Sequence, residues 1–251
     1  MPQTKSLMTV FLMASASAFA EPIPVPNFSF ESPPVERNEK NPFGALPFLD
    51  DWDETAVGLG DEDDQNTGVF LNTDSPAPDH VTNSHLDRLA FISSLIGNDL
   101  RQELVTFFEP GRSYTFTVGV ATSFTFPVGA TEELEIALFY FDGGVEQVIA
   151  SNTISGSAVN TTSLVDVTVA TPVVELTDEW ANQPIGVLIR PLPTDPDDSA
   201  GEGFWDADFV RLERSQAAPA ISTWGLVTAT MLMVATGAMF VHRRSRFAAS
   251  G

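Results

Sequence analysis

The chain has 251 residues, 34 acidic side chains against 12 basic ones, a net charge of −22, and no cysteine. Such a charge excludes nucleic-acid and anionic-lipid binding by the body of the protein, and it favours divalent cations or plain solubility in a salty medium. Without disulfides the fold must rest on its core, which 19 Phe and 4 Trp make ample.

The N-terminus carries Lys5, an apolar stretch from Leu7 to Phe19, and the small-x-small close Ala18-Phe19-Ala20. This order predicts a secretory signal peptide over residues 1–20, cleaved after Ala20. Beyond it, helical periodicity is nearly absent. Short alternating runs separated by turn residues predict strands instead. They are Asn27–Glu31, Leu89–Ser93, Leu100–Thr106, Tyr114–Val120, Leu134–Tyr140, Val145–Ser151, Leu164–Val174, Ile185–Ile189 and Phe204–Leu212. Glu109-Pro110-Gly111-Arg112 and Asp142-Gly143-Gly144 read as turns between them. With no βαβ rhythm, residues 21–214 are expected to form one all-β, antiparallel jelly-roll sandwich. The irregular stretch from Pro33 to Val81 reads as a long loop. Its acidic peak, Asp61 to Asn66, lacks the glycine and glutamate spacing of an EF-hand. The acidic stretch from Pro193 to Gly203 reads as a solvated loop in the same way.

After a linker at 215–223, residues Trp224 to Val241 hold no charge. As a helix they would span roughly 27 Å at ~1.5 Å per residue, close to the ~30 Å hydrocarbon thickness. Arg243, Arg244 and Arg246 follow and should stay cytoplasmic within a basic tail at 242–251. Pro219-Ala220-Ile221-Ser222-Thr223-Trp224-Gly225, the apolar span and the arginine cluster together resemble the C-terminal sorting domains of the PEP-CTERM and IPTL-CTERM type. Ala-Ile replaces the usual Thr-Leu, and Thr223 the usual Glu. The resemblance implies recognition by a sorting protease of the exosortase type. It also implies a membrane-anchored or released position at the cell surface.

Near the end of the body, Asp206 and Asp208 lie two apart in Gly203-Phe204-Trp205-Asp206-Ala207-Asp208-Phe209-Val210-Arg211-Leu212. Simple strand parity puts both on the face of Val210 and Leu212, toward the core. A buried carboxylate must be partnered or neutralised, and a calcium ion is one partner that suits hard oxygen ligands. Pro26-Asn27-Phe28-Ser29-Phe30-Glu31, the closing Ala207-Asp208-Phe209-Val210-Arg211-Leu212 and the middle segment Pro110-Gly111-Arg112-Ser113-Tyr114 resemble galactose-binding-like jelly rolls. That group includes carbohydrate-binding modules and the calcium-dependent Stig cyclases. The resemblance implies that the first and last strands lie side by side and share a structural Ca²⁺. Its ligands would be the Glu31 and Asp208 carboxylates and the Asn27 carbonyl. The alternative is that Glu31 caps a strand end and Asp208 bonds backbone amides. Asp206 has no counterpart in the motif.

Other candidates are weaker. His80 and His85 lack zinc-ligand spacing. No nucleophile elbow or phosphate-binding glycine loop is present. Trp52 and Tyr140 read as core, which leaves Trp180 as a platform for stacking on a sugar ring. The expectation is therefore a non-enzymatic, exported surface protein with a structural or adhesive role. Polysaccharide is its candidate partner. A secreted enzyme on the same fold, acting on glycans or a small molecule, is the alternative.

Overall fold

The computed structural model describes residues 20–39, 41, 44–55, 66–95, 97–192 and 203–215. The chain divides into two compact units, Met1–Gln216 and Ala217–Gly251. The expected signal peptide, membrane span and basic tail lie outside the described residues. Among the described residues no helix is long and apolar enough to cross a membrane.

The described body is a sandwich of two antiparallel sheets. Twelve strands follow in chain order: β1 (Glu21–Ile23), β2 (Ala45–Leu46), β3 (Asp53–Thr55), β4 (Thr67–Leu71), β5 (Arg88–Ser93), β6 (Asp99–Phe107), β7 (Tyr114–Thr122), β8 (Glu133–Asp142), β9 (Val145–Ser155), β10 (Val165–Ala170), β11 (Pro184–Leu192) and β12 (Phe204–Arg214). The larger sheet runs β10-β7-β12-β5-β4-β2, with β1 added beside β12; the smaller runs β3-β6-β11-β8-β9. The strand beside β12 is Glu21–Ile23, with Ile23 opposite Leu212, and not the expected Asn27–Glu31. A single 3-10 turn, Gly156–Ala158, is the one helical element among the described residues.

Alternation explains the core. Phe116, Val118 and Val120 of β7, and Leu134, Ile136 and Leu138 of β8, point between the sheets with Trp205 and Ala207 of β12. Trp52 and Tyr140 join them as expected. Complete burial of one such large apolar side chain contributes about 1.5–3 kcal/mol, so a core of this size needs no disulfide.

Three local expectations fail. Asn27–Glu31 is a turn and not a strand. Asn27 and Phe30 have φ of 47° and 54°, and the Asn27 side chain bonds the Ser32 amide and carbonyl, a local pairing that competes with a sheet ladder. The stretch read as one long loop contains β2, β3 and β4. The strand read over Leu164–Val174 is confined to β10 because Val173 turns out to solvent.

The fourth failure matters most. Strand β12 holds a β-bulge: Asp208 pairs with Gly119, yet Arg211 pairs with Thr117. Phe209 at the bulge has φ of 50°, and the Val210 amide donates to the Phe28 carbonyl at 2.8 Å. An extra residue shifts side-chain parity. Trp205 and Ala207 face the core before the bulge, Val210 and Leu212 after it. Asp206 and Asp208 therefore face the opposite side of the sheet from Val210 and Leu212, contrary to the parity argument.

Candidate active site

The outer face of the larger sheet is covered by three loops, 72–87, 123–128 and 156–164. Asn72 ties the first loop to itself through the Val81 amide and carbonyl. Asn83 clasps it to the third, bonding both the amide and the carbonyl of Leu164. The middle loop is stitched to β12: the Ser123 amide donates to the Phe204 carbonyl and the Phe204 amide to the Phe126 carbonyl, each at 2.9 Å. The space left beneath and between is a cavity of about 410 Å³, the size of a small-molecule site.

Five phenylalanines line it: Phe70, Phe91, Phe124, Phe126 and Phe204. Four of the rings form a chain. Phe91 stands edge-on to Phe204 at 5.7 Å, Phe126 meets Phe204 at 6.2 Å, and Phe70 meets Phe91 at 6.5 Å. Gly68, opposite Phe91 in the ladder, leaves room for that ring; a Cβ there would lie 2.8 Å from it and collide with the Leu46 carbonyl.

Asp206 lies in the floor of this cavity. It sits in register with Phe91 on one side and Ala121 on the other. It is 4% exposed, and no hydrogen bond or ion pair to it is found among the described residues. Burial alone pushes its pKa up to about 8. With its pKa above neutrality the side chain favours the neutral carboxylic acid form, among aromatic rings. A carboxyl group in that state is a proton donor.

Asp208, two residues on, is different. Its Oδ2 accepts from the His85 amide and its Oδ1 from the Phe209 amide, both at 2.6 Å. Burial pushes it up to about 7, the two amide bonds oppose this, and the Glu31 charge adds to it. Asp208 closes the bulge and does not line the cavity.

The sequence-derived calcium ligands are placed as follows. Glu31 accepts from the amides of Asp87 and Arg88 and forms an ion pair with the Arg88 guanidinium at 2.6 Å. The Asn27 carbonyl accepts from the Phe30 amide and the Trp52 indole N–H. Among the described residues no three metal-ligating side chains come together. Every proposed ligand group is engaged, and Arg88 supplies the positive charge that Glu31 needs.

Trp180 is half-buried, edge-on to Phe108 at 5.1 Å, and takes no part in the cavity. The cavity itself was not read from sequence. Phe204 and Asp206 alternate with Trp205, which marks a strand with two unlike faces. Only the bulge decides which face is which, and only the loops make the second face a pocket.

Comparison with known proteins bears on these features. A cyclase from Fischerella sp., in its apo form, superposes with a TM-score of 0.60 at 20% identity, covering 80% of this chain and 98% of that one. The Stig cyclase Fisc from Fischerella sp. TAU, in complex with (3Z)-3-(1-methyl-2-pyrrolidinylidene)-3H-indole, gives 0.58 at 19%, covering 80% and 100%. A Fischerella sp. TAU cyclase in complex with 4-(1H-indol-3-yl)butan-2-one gives 0.56 at 21%, covering 78% and 98%. At these identities the likeness shows the shared fold. No curated protein matches the sequence. The family model described as HpiC1-like, HpiC1 cyclase, matches residues 21–213. This overturns the expectation of a non-enzymatic protein, which rested on the lack of a familiar catalytic motif: the match indicates a cyclase enzyme. With nearly all of the sandwich matched, the chain belongs to the HpiC1-like family of cyclases.

Proposed function

We propose that this protein is an acid-initiated cyclase. Its substrate is a small apolar molecule with an aromatic or alkene-bearing body, held in the phenylalanine-lined cavity. The observation that carries this reading is Asp206, a buried, unpartnered carboxylic acid in the floor of that cavity. The indole-bearing ligands of the Fischerella cyclases support the size and chemistry of such a body.

The step balances without a co-reactant. Asp206 gives its proton to a π-bonded carbon of the substrate. The π electron pair becomes the new C–H bond and leaves a carbocation. A second π bond attacks that centre and forms the ring C–C bond. Loss of a proton from the product cation to the Asp206 carboxylate restores the acid. The faces of Phe91, Phe126 and Phe204 are negative and attract the cation, by about 0.5–2 kcal/mol per ring when desolvated. The same rings keep water from capturing it.

Incubation in D₂O with an alkene-bearing indole tests the proposal. One deuterium gained from solvent, together with a new ring and no other change in composition, is expected. No incorporation, or the same incorporation with Asp206→Asn, overturns it.

Polysaccharide binding is the weaker reading. The aromatic rings line a pocket around a carboxyl group, with Phe124 and Phe126 exposed. Export by residues 1–20 and sorting by residues 219–246 stay proposals carried by their sequence pattern.

A further inference from the structure

One wall of the cavity is unlike the rest. Arg37, Thr73 and Asp79 lie there, beside Ala45 and Leu71. Arg88, Arg101, Arg112, Arg190, Arg211 and Arg214 each pair with a carboxylate. Arg37 is the described arginine that forms no ion pair with the described residues, although 34 acidic residues are present in the chain.

Arg37 is nonetheless held in place. Its Nη2 donates to the Leu71 carbonyl at 3.0 Å. The Leu71 amide donates in turn to the Gly44 carbonyl at 2.8 Å. The Arg37 stem crosses Gly44 so closely that a Cβ there would come within 2.7 Å of its Cγ, and Gly44 has φ of +60°. Asn41 pins the same loop by bonding both the amide and the carbonyl of Ala45. Arg37 is an exposed residue, and no further hydrogen bond of its guanidinium is found among the described residues. The Thr73 hydroxyl on the same wall is buried with no partner.

We infer that Arg37 is a specificity-determining residue and that the substrate bears a carboxylate, bound by the Arg37 guanidinium. The inference rests on the cavity being the substrate site. It adds a polar end to an otherwise apolar ligand. A guanidinium anchored by one hydrogen bond and stem packing loses little freedom on binding, and its planar fork matches a carboxylate. Asp79 opposes this assignment, because it would favour a cationic head group instead, so the test compares both.

Three indoles that differ in the head group separate the cases: 4-(1H-indol-3-yl)butanoic acid, 4-(1H-indol-3-yl)butan-2-one and 3-(1H-indol-3-yl)propan-1-amine. Calorimetric titration of the full chain at low salt should find the acid bound roughly 10-fold or more tighter than the ketone, the scale of one charge-assisted hydrogen bond. Arg37→Ala should erase that preference and leave the ketone affinity within about 3-fold, since neutral contacts remain. Arg37→Lys should keep part of it. Equal binding of acid and ketone, an unchanged preference in Arg37→Ala, or tighter binding of the amine overturns the assignment of Arg37. In those cases the acid role of Asp206 still stands on its own deuterium test. Binding of none of the three overturns both this inference and the cavity as substrate site.

Discussion

Asp206 and Phe91 face each other across the antiparallel pair of β12 and β5, in register. The ladder thus places a carboxylic acid beside an aromatic ring on the covered side of the sheet. In the proposed reaction the proton donor and the cation-stabilising face come from neighbouring strands, the most rigid positions a sandwich offers.

Asp206→Asn keeps the shape and removes the acidic proton. Turnover should fall by about 10²–10⁴-fold, the range of a lost general acid, while substrate affinity changes little. Single-turnover kinetics would check it, and a loss of less than about 10-fold would remove Asp206 from the acid role.

The same carboxyl makes both activity and stability depend on pH. Its folded pKa, about 8, lies above the ordinary value of 3.8. The folded chain therefore holds this proton more tightly than the unfolded chain. The stabilising contribution is complete below about pH 4 and is lost as pH rises through about 8. Asp206→Asn, which cannot ionise, should gain in melting temperature over the native protein as pH rises from 5 to 9. The native rate should fall above about pH 8, where the donor is deprotonated. A flat difference in melting temperature would contradict the burial argument.

Phe91→Leu keeps an apolar wall without the ring quadrupole. A rate loss of about 3–30-fold is expected, with a larger share of water-trapped, hydroxylated product, because one cation–π contact of about 0.5–2 kcal/mol is gone. Product analysis by mass spectrometry reads the second effect, which a mere folding defect would not produce.

Gly68→Ala tests the packing behind that ring. The new Cβ meets the Phe91 ring and the Leu46 carbonyl. A loss of about 1–3 kcal/mol from overpacking is expected, visible in denaturant unfolding, with weakened ligand binding because Phe91 must shift.

Arg88→Ala leaves the Glu31 carboxylate without its guanidinium and next to the buried Asp208. The pair is about one-fifth exposed on each side, so screening lowers the fully buried figure; a cost of about 1–3 kcal/mol is expected. Titration with Ca²⁺ in this variant asks whether a metal ion can take the guanidinium's place, read as recovery of the melting temperature.

Much of the fold was legible in the chain. Alternating or short apolar runs between turn residues marked β5 to β12, with that of β10 read too long. Short strands such as β2 and β3 escaped, since two or three residues carry no period, and β4 escaped within a stretch full of proline, aspartate and asparagine. The turn at Asn27 to Phe30 escaped for another reason. Its apolar residues alternate, yet Asn27 and Phe30 adopt positive φ and the Asn27 side chain supplies the hydrogen bonds that a neighbouring strand would have given.

For the site, composition and motif determined that no disulfide or familiar nucleophile is available, and that two aspartates near the end of the body needed an explanation. Tertiary structure decided where each of them points. A single extra residue between Asp208 and Arg211 reverses side-chain parity and sends Asp206 away from the core. Loops from three distant parts of the chain then cover that face, while the phenylalanines come from strands β4, β5 and β12 and from the loop 123–128. Burial, and with it the raised pKa that makes an acid of Asp206, is a property of what surrounds the residue in space, and no local pattern around positions 204–208 encodes it.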